Sequence, residues 1–151
     1  GKSTYCRNEA KYGNLIVNDD AIVMAVHAGD YSLYNKELKP LYKAVENTII
    51  TMGLANGRSV IIDRPNHSAR TRRRYIGLAH SLDRAVKVVM FRRESPLVHA
   101  TRRHKSDSRG YSLEYWIEAA NRHESLYEKP DQAMEGFDQL INYACIGMEA
   151  Q

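Results

Sequence analysis

Gly1-Lys2-Ser3-Thr4 opens the sequence, and residues 2–11 read as a helix that stops at Gly13. A Gly-Lys-Ser at the head of a helix matches the second half of the phosphate-binding loop pattern, Gly-x-x-x-x-Gly-Lys-Ser/Thr. The physics is local. Backbone N–H groups at a helix start, with the helix dipole behind them, favour phosphate oxygens. In such a loop Gly1 to Thr4 cradle phosphates, Lys2 neutralises their charge, and the Ser3 hydroxyl suits Mg²⁺. Gly-Lys-Ser also occurs in ordinary turns, so the rest of the chain has to support the reading.

Working outward, Leu15-Ile16-Val17 is a short apolar run closed by Asn18-Asp19-Asp20, as expected for a buried parallel strand with carboxylates at its C-terminal end. A short helix over 21–27 and a loop over 28–35 follow. A helix over 38–55 carries Leu38, Leu41, Tyr42, Val45, Ile49 and Met52 at helical spacing and ends at Asn56-Gly57. Residues 59–63 form the clearest strand and end on Asp63. Ser68 can cap a basic helix over 69–82 with an apolar stripe of Tyr75, Leu78 and Leu82. A strand over 85–91, a helix over 96–105, a break at 106–110, a helix from Ser112 to about 127, and a final strand over 137–144 complete the expected elements. Alternation of strands with helices of this length indicates an α/β fold with a parallel sheet flanked by helices on both faces. Ligands in such folds bind beyond the C-terminal ends of the strands, which puts Asn18 to Asp20, Asp63 to Asn66 and the segment after Phe91 on one rim with Gly1 to Thr4.

A chain of 151 residues, 43% hydrophobic and 26% charged, fits one domain over 1–151. No apolar run approaches a membrane span and no secretion signal is visible, so a soluble, cytoplasmic protein without a membrane partner is expected. Between residues 58 and 109 lie 14 of the 22 Lys and Arg against four acids. That excess suits polyanions, nucleotide phosphates or a nucleic-acid backbone or both, or else is a solvated basic face; Arg64, Arg70, Arg73 and Arg74 could hold the phosphates of a nucleic acid. Cys6 and Cys145 have no metal-ligand spacing and read as reduced. The six histidines show no ligand pair at helical spacing with an acidic partner, and Trp116 reads as core.

Asp63 stands where a phosphate-loop enzyme keeps the acid that holds its metal, and Asp19 is placed to accept a proton from an attacking hydroxyl or, alternatively, to cap the next helix. Arg102, Arg103 and Arg109, beside Gly110, suit an arginine-rich lid over a transferring phosphoryl group, or plain solvation. The order Gly1-Lys2-Ser3-Thr4, Asn18-Asp19-Asp20, Asp63-Arg64-Pro65-Asn66, Arg72 and then arginines resembles the phage-type polynucleotide 5'-hydroxyl kinase family, within the P-loop kinases. The resemblance implies ATP and Mg²⁺ bound through Lys2 and Ser3, Asp19 as general base, a motif Asp63, Asn66 and Arg72 at the nucleotide, and phosphate contacts from Arg102, Arg103 or Arg109. It further implies a nucleic acid with a 5'-hydroxyl end as acceptor.

The chain departs from that pattern at Ile22, where the family has an Arg for the acceptor's phosphate, and at Pro65, where it has Thr. The family's first strand and the first half of its loop would precede Gly1, and a segment carrying them is expected ahead of Gly1. Two other readings stay open: a P-loop kinase for a small sugar, nucleoside or antibiotic hydroxyl, and a nucleic-acid-binding P-loop domain that transfers nothing.

Overall fold

The computed structural model describes residues 1–107 and 110–143. Its elements are α1 (Lys2–Ala10), β1 (Leu15–Val17), α2 (Asp19–Val26), α3 (Lys39–Ala55), β2 (Val60–Ile62), α4 (Ala69–His80), β3 (Lys87–Phe91), α5 (Pro96–Lys105), α6 (Leu113–Ser125), α7 (Gln132–Glu135) and β4 (Gln139–Tyr143), with single 3-10 turns at Tyr31–Leu33 and Lys36–Leu38. Parallel strands flanked by helices are what the alternating sequence pattern predicts. The chain divides into two compact units, Gly1–Pro65 with Gly77–Ala85, and Asn66–Ile76 with the chain from Val86 onward.

In the first unit β1 and β2 pair in parallel, Leu15 opposite Val60 and Val17 opposite Ile62. Asp63 extends the pairing by donating its N–H to the Val17 carbonyl at 2.8 Å. Helix α3 lies close on this pair because Gly53 has no side chain: a Cβ there would stand 2.7 Å from Leu15 Cδ1 and 3.0 Å from Val60 Cγ2. The core gathers Cys6, Val17, Ile22, Val23, Tyr42, Ile50 and Leu54. The stripe expected on α3 is therefore turned. Tyr42, Glu46, Ile50, Gly53 and Leu54 are buried, while Leu41, Ile49 and Met52 are exposed. Two features set that face: the Gly53 contact and the burial of Glu46 as an ion-paired acid.

In the second unit β3 pairs with β4 in parallel from Lys87 opposite Gln139 to Phe91 opposite Tyr143. Phe137, just before β4, is one of the most buried side chains of the molecule. The strand predicted over 137–144 thus begins two residues later, its first apolar position serving as core anchor; residue 144 lies outside the described residues. Helices α5 and α6 start at Ser95 and Ser112, whose side-chain oxygens accept from Val98 N and Tyr115 N. Helix α4 carries a second shifted stripe, its buried residues being Arg72 and Ile76 in this unit and Ala79 in the first, in place of Tyr75, Leu78 and Leu82.

Candidate active site

Helix α1 begins at Gly1 with no side chain capping it. Its leading N–H groups, on Lys2, Ser3 and Thr4, are the unsatisfied donors that an α-helix start presents to an anion. Lys2 and Cys6 stand one turn apart and face the end of β2. There the Lys2 ammonium forms an ion pair with Asp63, a carboxylate buried to 8% exposure. Cys6 is a buried free thiol, held protonated above its ordinary range first by burial and then by the neighbouring Asp63 charge.

Asn18 ties the two strand ends together. Its Oδ1 accepts from Ala21 N at 3.1 Å as the cap of α2, and its Nδ2 donates to Asp63 O at 3.1 Å and to Asp63 Oδ2 at 3.3 Å. Capping thus falls to Asn18, which leaves the Asp19 carboxylate at the first helical position free of that task. The Arg64 guanidinium meets Asp19 at 2.6 Å and Glu46 at 3.2 Å, and Lys43 meets Glu46 at 2.6 Å. Asp19 is raised above the usual carboxylate range, chiefly by burial, with Arg64 pulling the other way and Glu46 adding to the rise. A raised carboxylate is a stronger base, as proton abstraction requires. Ile22, one turn on from Asp19, is buried in the core and presents nothing to a ligand.

The Asp63 carboxylate at the end of β2 and the exposed Ser3 hydroxyl on α1 are oxygen donors of the type Mg²⁺ prefers, and Mg²⁺ at phosphates is usually held by one or two protein carboxylates besides phosphate and water. Lys2 neutralises Asp63, and its half-exposed side chain is long enough to turn from that carboxylate toward a phosphate.

The second unit holds the other predicted residues. Arg72 is buried and bidentate on Glu135, Nε to Oε2 and Nη2 to Oε1, both at 2.7 Å. Its Nη1 donates to the carbonyls of Asn66 at 3.0 Å and His67 at 2.9 Å. Arg72 therefore fastens the loop that carries Asn66, which adopts a left-handed backbone at φ 46°. The charge on Glu135 is stabilised below its ordinary value, first by these Arg72 hydrogen bonds. His67 and His123 lie with ring centroids 4.6 Å apart, and burial lowers both below the ordinary histidine value.

Arg102 and Arg103 occupy the last turn of α5: Arg102 pairs with Glu94 at 3.0 Å and Arg103 lies over the Trp116 ring at 5.0 Å. Arg109 and Cys145 lie outside the described residues. At the C-terminal ends of β3 and β4 a cavity of about 510 Å³ is walled by Phe91, Tyr127 and Tyr143 and bordered by Arg92, Arg93 and Lys129. That is the end of a parallel sheet at which ligands bind.

The structure thus brings Lys2, Asp63, Asn18, Asp19 and Arg64 together in one unit and Asn66 with Arg72 in the other. The sequence reading missed Glu46 and Glu135, the acids that hold Arg64 and Arg72. Glu46 carries a legible signal, since it falls four residues from both Tyr42 and Ile50 on the buried stripe; Glu135 carries none.

No helix among the described residues is long and apolar enough to cross a membrane. No match was found among the curated proteins. A protein-family model described as an AAA domain matches residues 1–129, which include every candidate residue named above apart from Glu135 and Tyr143. The chain belongs to this AAA domain family, nucleotide-binding P-loop proteins of kinase-like type.

Proposed function

We propose that the protein is an ATP- and Mg²⁺-dependent phosphotransferase that moves the γ-phosphate to a hydroxyl, with the 5'-hydroxyl end of a polynucleotide as its acceptor. The observation that carries this reading is the grouping, at the ends of β1 and β2, of an uncapped helix start bearing Lys2 and Ser3, a buried Asp63, and a second carboxylate, Asp19, held by Arg64. Phosphoryl transfer is catalysed mainly by positioning and charge stabilisation, and these residues supply both.

Lys2 leaves Asp63 for the phosphates and neutralises charge as it develops on the transferring group. Asp19 accepts the proton of the attacking hydroxyl, and Arg64 holds its carboxylate in place. Ser3 and Asp63 would hold Mg²⁺, which would supply positive charge for the phosphate oxygens. Arg102, Arg103 and Arg109 are proposed as lid arginines, and Asn66 with Arg72 as a nucleotide-side loop in which Arg72 acts through the loop backbone it binds.

A second reading, transfer to a small sugar, nucleoside or antibiotic hydroxyl, is favoured by the burial of Ile22, because that position offers no cation to an acceptor phosphate. The test is transfer of labelled γ-phosphate from ATP by the full-length protein to a panel holding a 5'-hydroxyl oligonucleotide, a nucleoside and a sugar. Labelled oligonucleotide supports the proposal and labelled small acceptors support the second reading. ATP bound without any transfer refutes both and leaves a binding domain.

A further inference from the structure

Helix α2 starts at Asp19 and runs into a loop dense with rings. Tyr31 and Tyr34 are nearly parallel, 8° apart with centroids at 6.1 Å, and Tyr34 and Tyr42 follow at 5.8 Å and 25°. His27 meets the Tyr42 ring edge-on, its Nε2 2.7 Å from the Tyr42 hydroxyl. The backbone beneath is set by its own hydrogen bonds. The Asp30 carboxylate accepts from Ser32 N and Oγ, the Asn35 amide oxygen accepts from Glu37 N, and Asn35 N donates to the Tyr42 hydroxyl at 3.2 Å.

Burial accounts for Tyr42, the inner end of this ladder. It does not account for Tyr34, 39% exposed, beside Leu33 at 55%. Cations border the ladder: Lys36 and Lys39 are exposed, and Lys43, one turn further along α3, adjoins the Glu46, Arg64 and Asp19 cluster. Of the nearby acids, Glu46 is neutralised by Lys43 and Arg64, while Asp30 and Glu37 are exposed, Glu37 between the two lysines. Rings on a preset backbone beside a line of lysines match the way proteins hold single strands, by stacking bases and tracking phosphates.

We propose that the Tyr31, Tyr34 and Tyr42 ladder, with Lys36 and Lys39, is a stacking subsite for single-stranded nucleic acid that holds bases of the acceptor while its 5' end reaches Asp19. The inference rests on the polynucleotide reading for what happens at Asp19, but stacking is a binding event that needs no transfer. Because every base has a π face, the subsite binds with little sequence preference.

The test is fluorescence anisotropy of a single-stranded 5'-hydroxyl hexanucleotide, labelled at its 3' end, on the full-length protein without ATP. Wild type is compared with Tyr34→Ala, Tyr34→Leu, Tyr34→Phe and Lys39→Gln, each checked for an unchanged melting temperature. The expected result is about tenfold weaker binding for Tyr34→Ala and Tyr34→Leu, retention in Tyr34→Phe, and a salt slope smaller by about 0.7 in Lys39→Gln. A hexanucleotide that fails to bind, or that binds Tyr34→Leu as it binds wild type, overturns the subsite, since leucine keeps the apolar bulk a merely structural tyrosine would need. Labelled-phosphate transfer run beside it separates the two claims. Transfer with binding indifferent to Tyr34 removes the subsite alone, and Tyr34-dependent binding without transfer removes the kinase reading alone.

Discussion

Replacing Arg72 by methionine leaves the Glu135 carboxylate, only 1% exposed at its side chain, without the guanidinium that now meets both of its oxygens. What remains to it is the Asp131 N–H at 3.0 Å. Removing one partner of a buried ion pair costs about 3–5 kcal/mol, because the other charge stays buried and uncompensated. The carbonyls of Asn66 and His67 lose a donor as well, at about 1 kcal/mol each. A small domain has about 5–15 kcal/mol in all, so Arg72→Met is expected to unfold at a much lower denaturant concentration than wild type. The double variant Arg72→Met with Glu135→Met removes both charges and should recover most of the loss, keeping only the carbonyl part. Trp116 is the sole tryptophan and lies in the same unit, so its fluorescence in a urea titration reports directly. An Arg72→Met variant within about 1 kcal/mol of wild type, or a double variant no better than the single, would refute the role of Arg72 as a strut.

Gly53→Ala places a methyl group 2.7 Å from Leu15 Cδ1 and should destabilise by about 1–3 kcal/mol, seen as a lower melting temperature. His67 and His123 are each held neutral by burial, so their contribution to stability is present above the ordinary histidine range and is lost as the pH falls through their lowered values. Thermal melts between pH 7 and 5 should show that loss in wild type and less of it in His123→Phe. The acid limb of kcat/KM should sit above the usual aspartate range, because protonated Asp19 is inactive and burial raises it. Arg64→Gln removes the cation that opposes the rise, so the limb should move to still higher pH in a pH–rate profile.

Most of the element order is legible because it follows from local chemistry: Ser95 and Ser112 cap their helices, Gly13 and Gly57 end theirs, and the Val60 strand runs onto Asp63. The helix faces are less so. A stripe counted on apolar residues alone misplaces α3 and α4, since Glu46 and Arg72 lie inside and are stabilised there by partners at distance: Arg64 is 18 residues from Glu46, and Glu135 is 63 from Arg72. The candidate site divides in the same way. Lys2, Asp19 and Asp63 can be read from their places at a helix start and two strand ends. The amide of Asn18 that joins Asp63 to α2 spans 45 residues and depends on register, which the strand pairing supplies.

The most direct test of the account is phosphate transfer from labelled ATP to a 5'-hydroxyl oligonucleotide at saturating ATP, with the full-length wild type and Asp19→Asn side by side. The account predicts labelled oligonucleotide from wild type and a loss of about 10²–10⁴-fold in Asp19→Asn with ATP affinity kept, the share that a positioned general base contributes. Equal transfer by both proteins would contradict it, and so would ATP binding that disappears with Asp19.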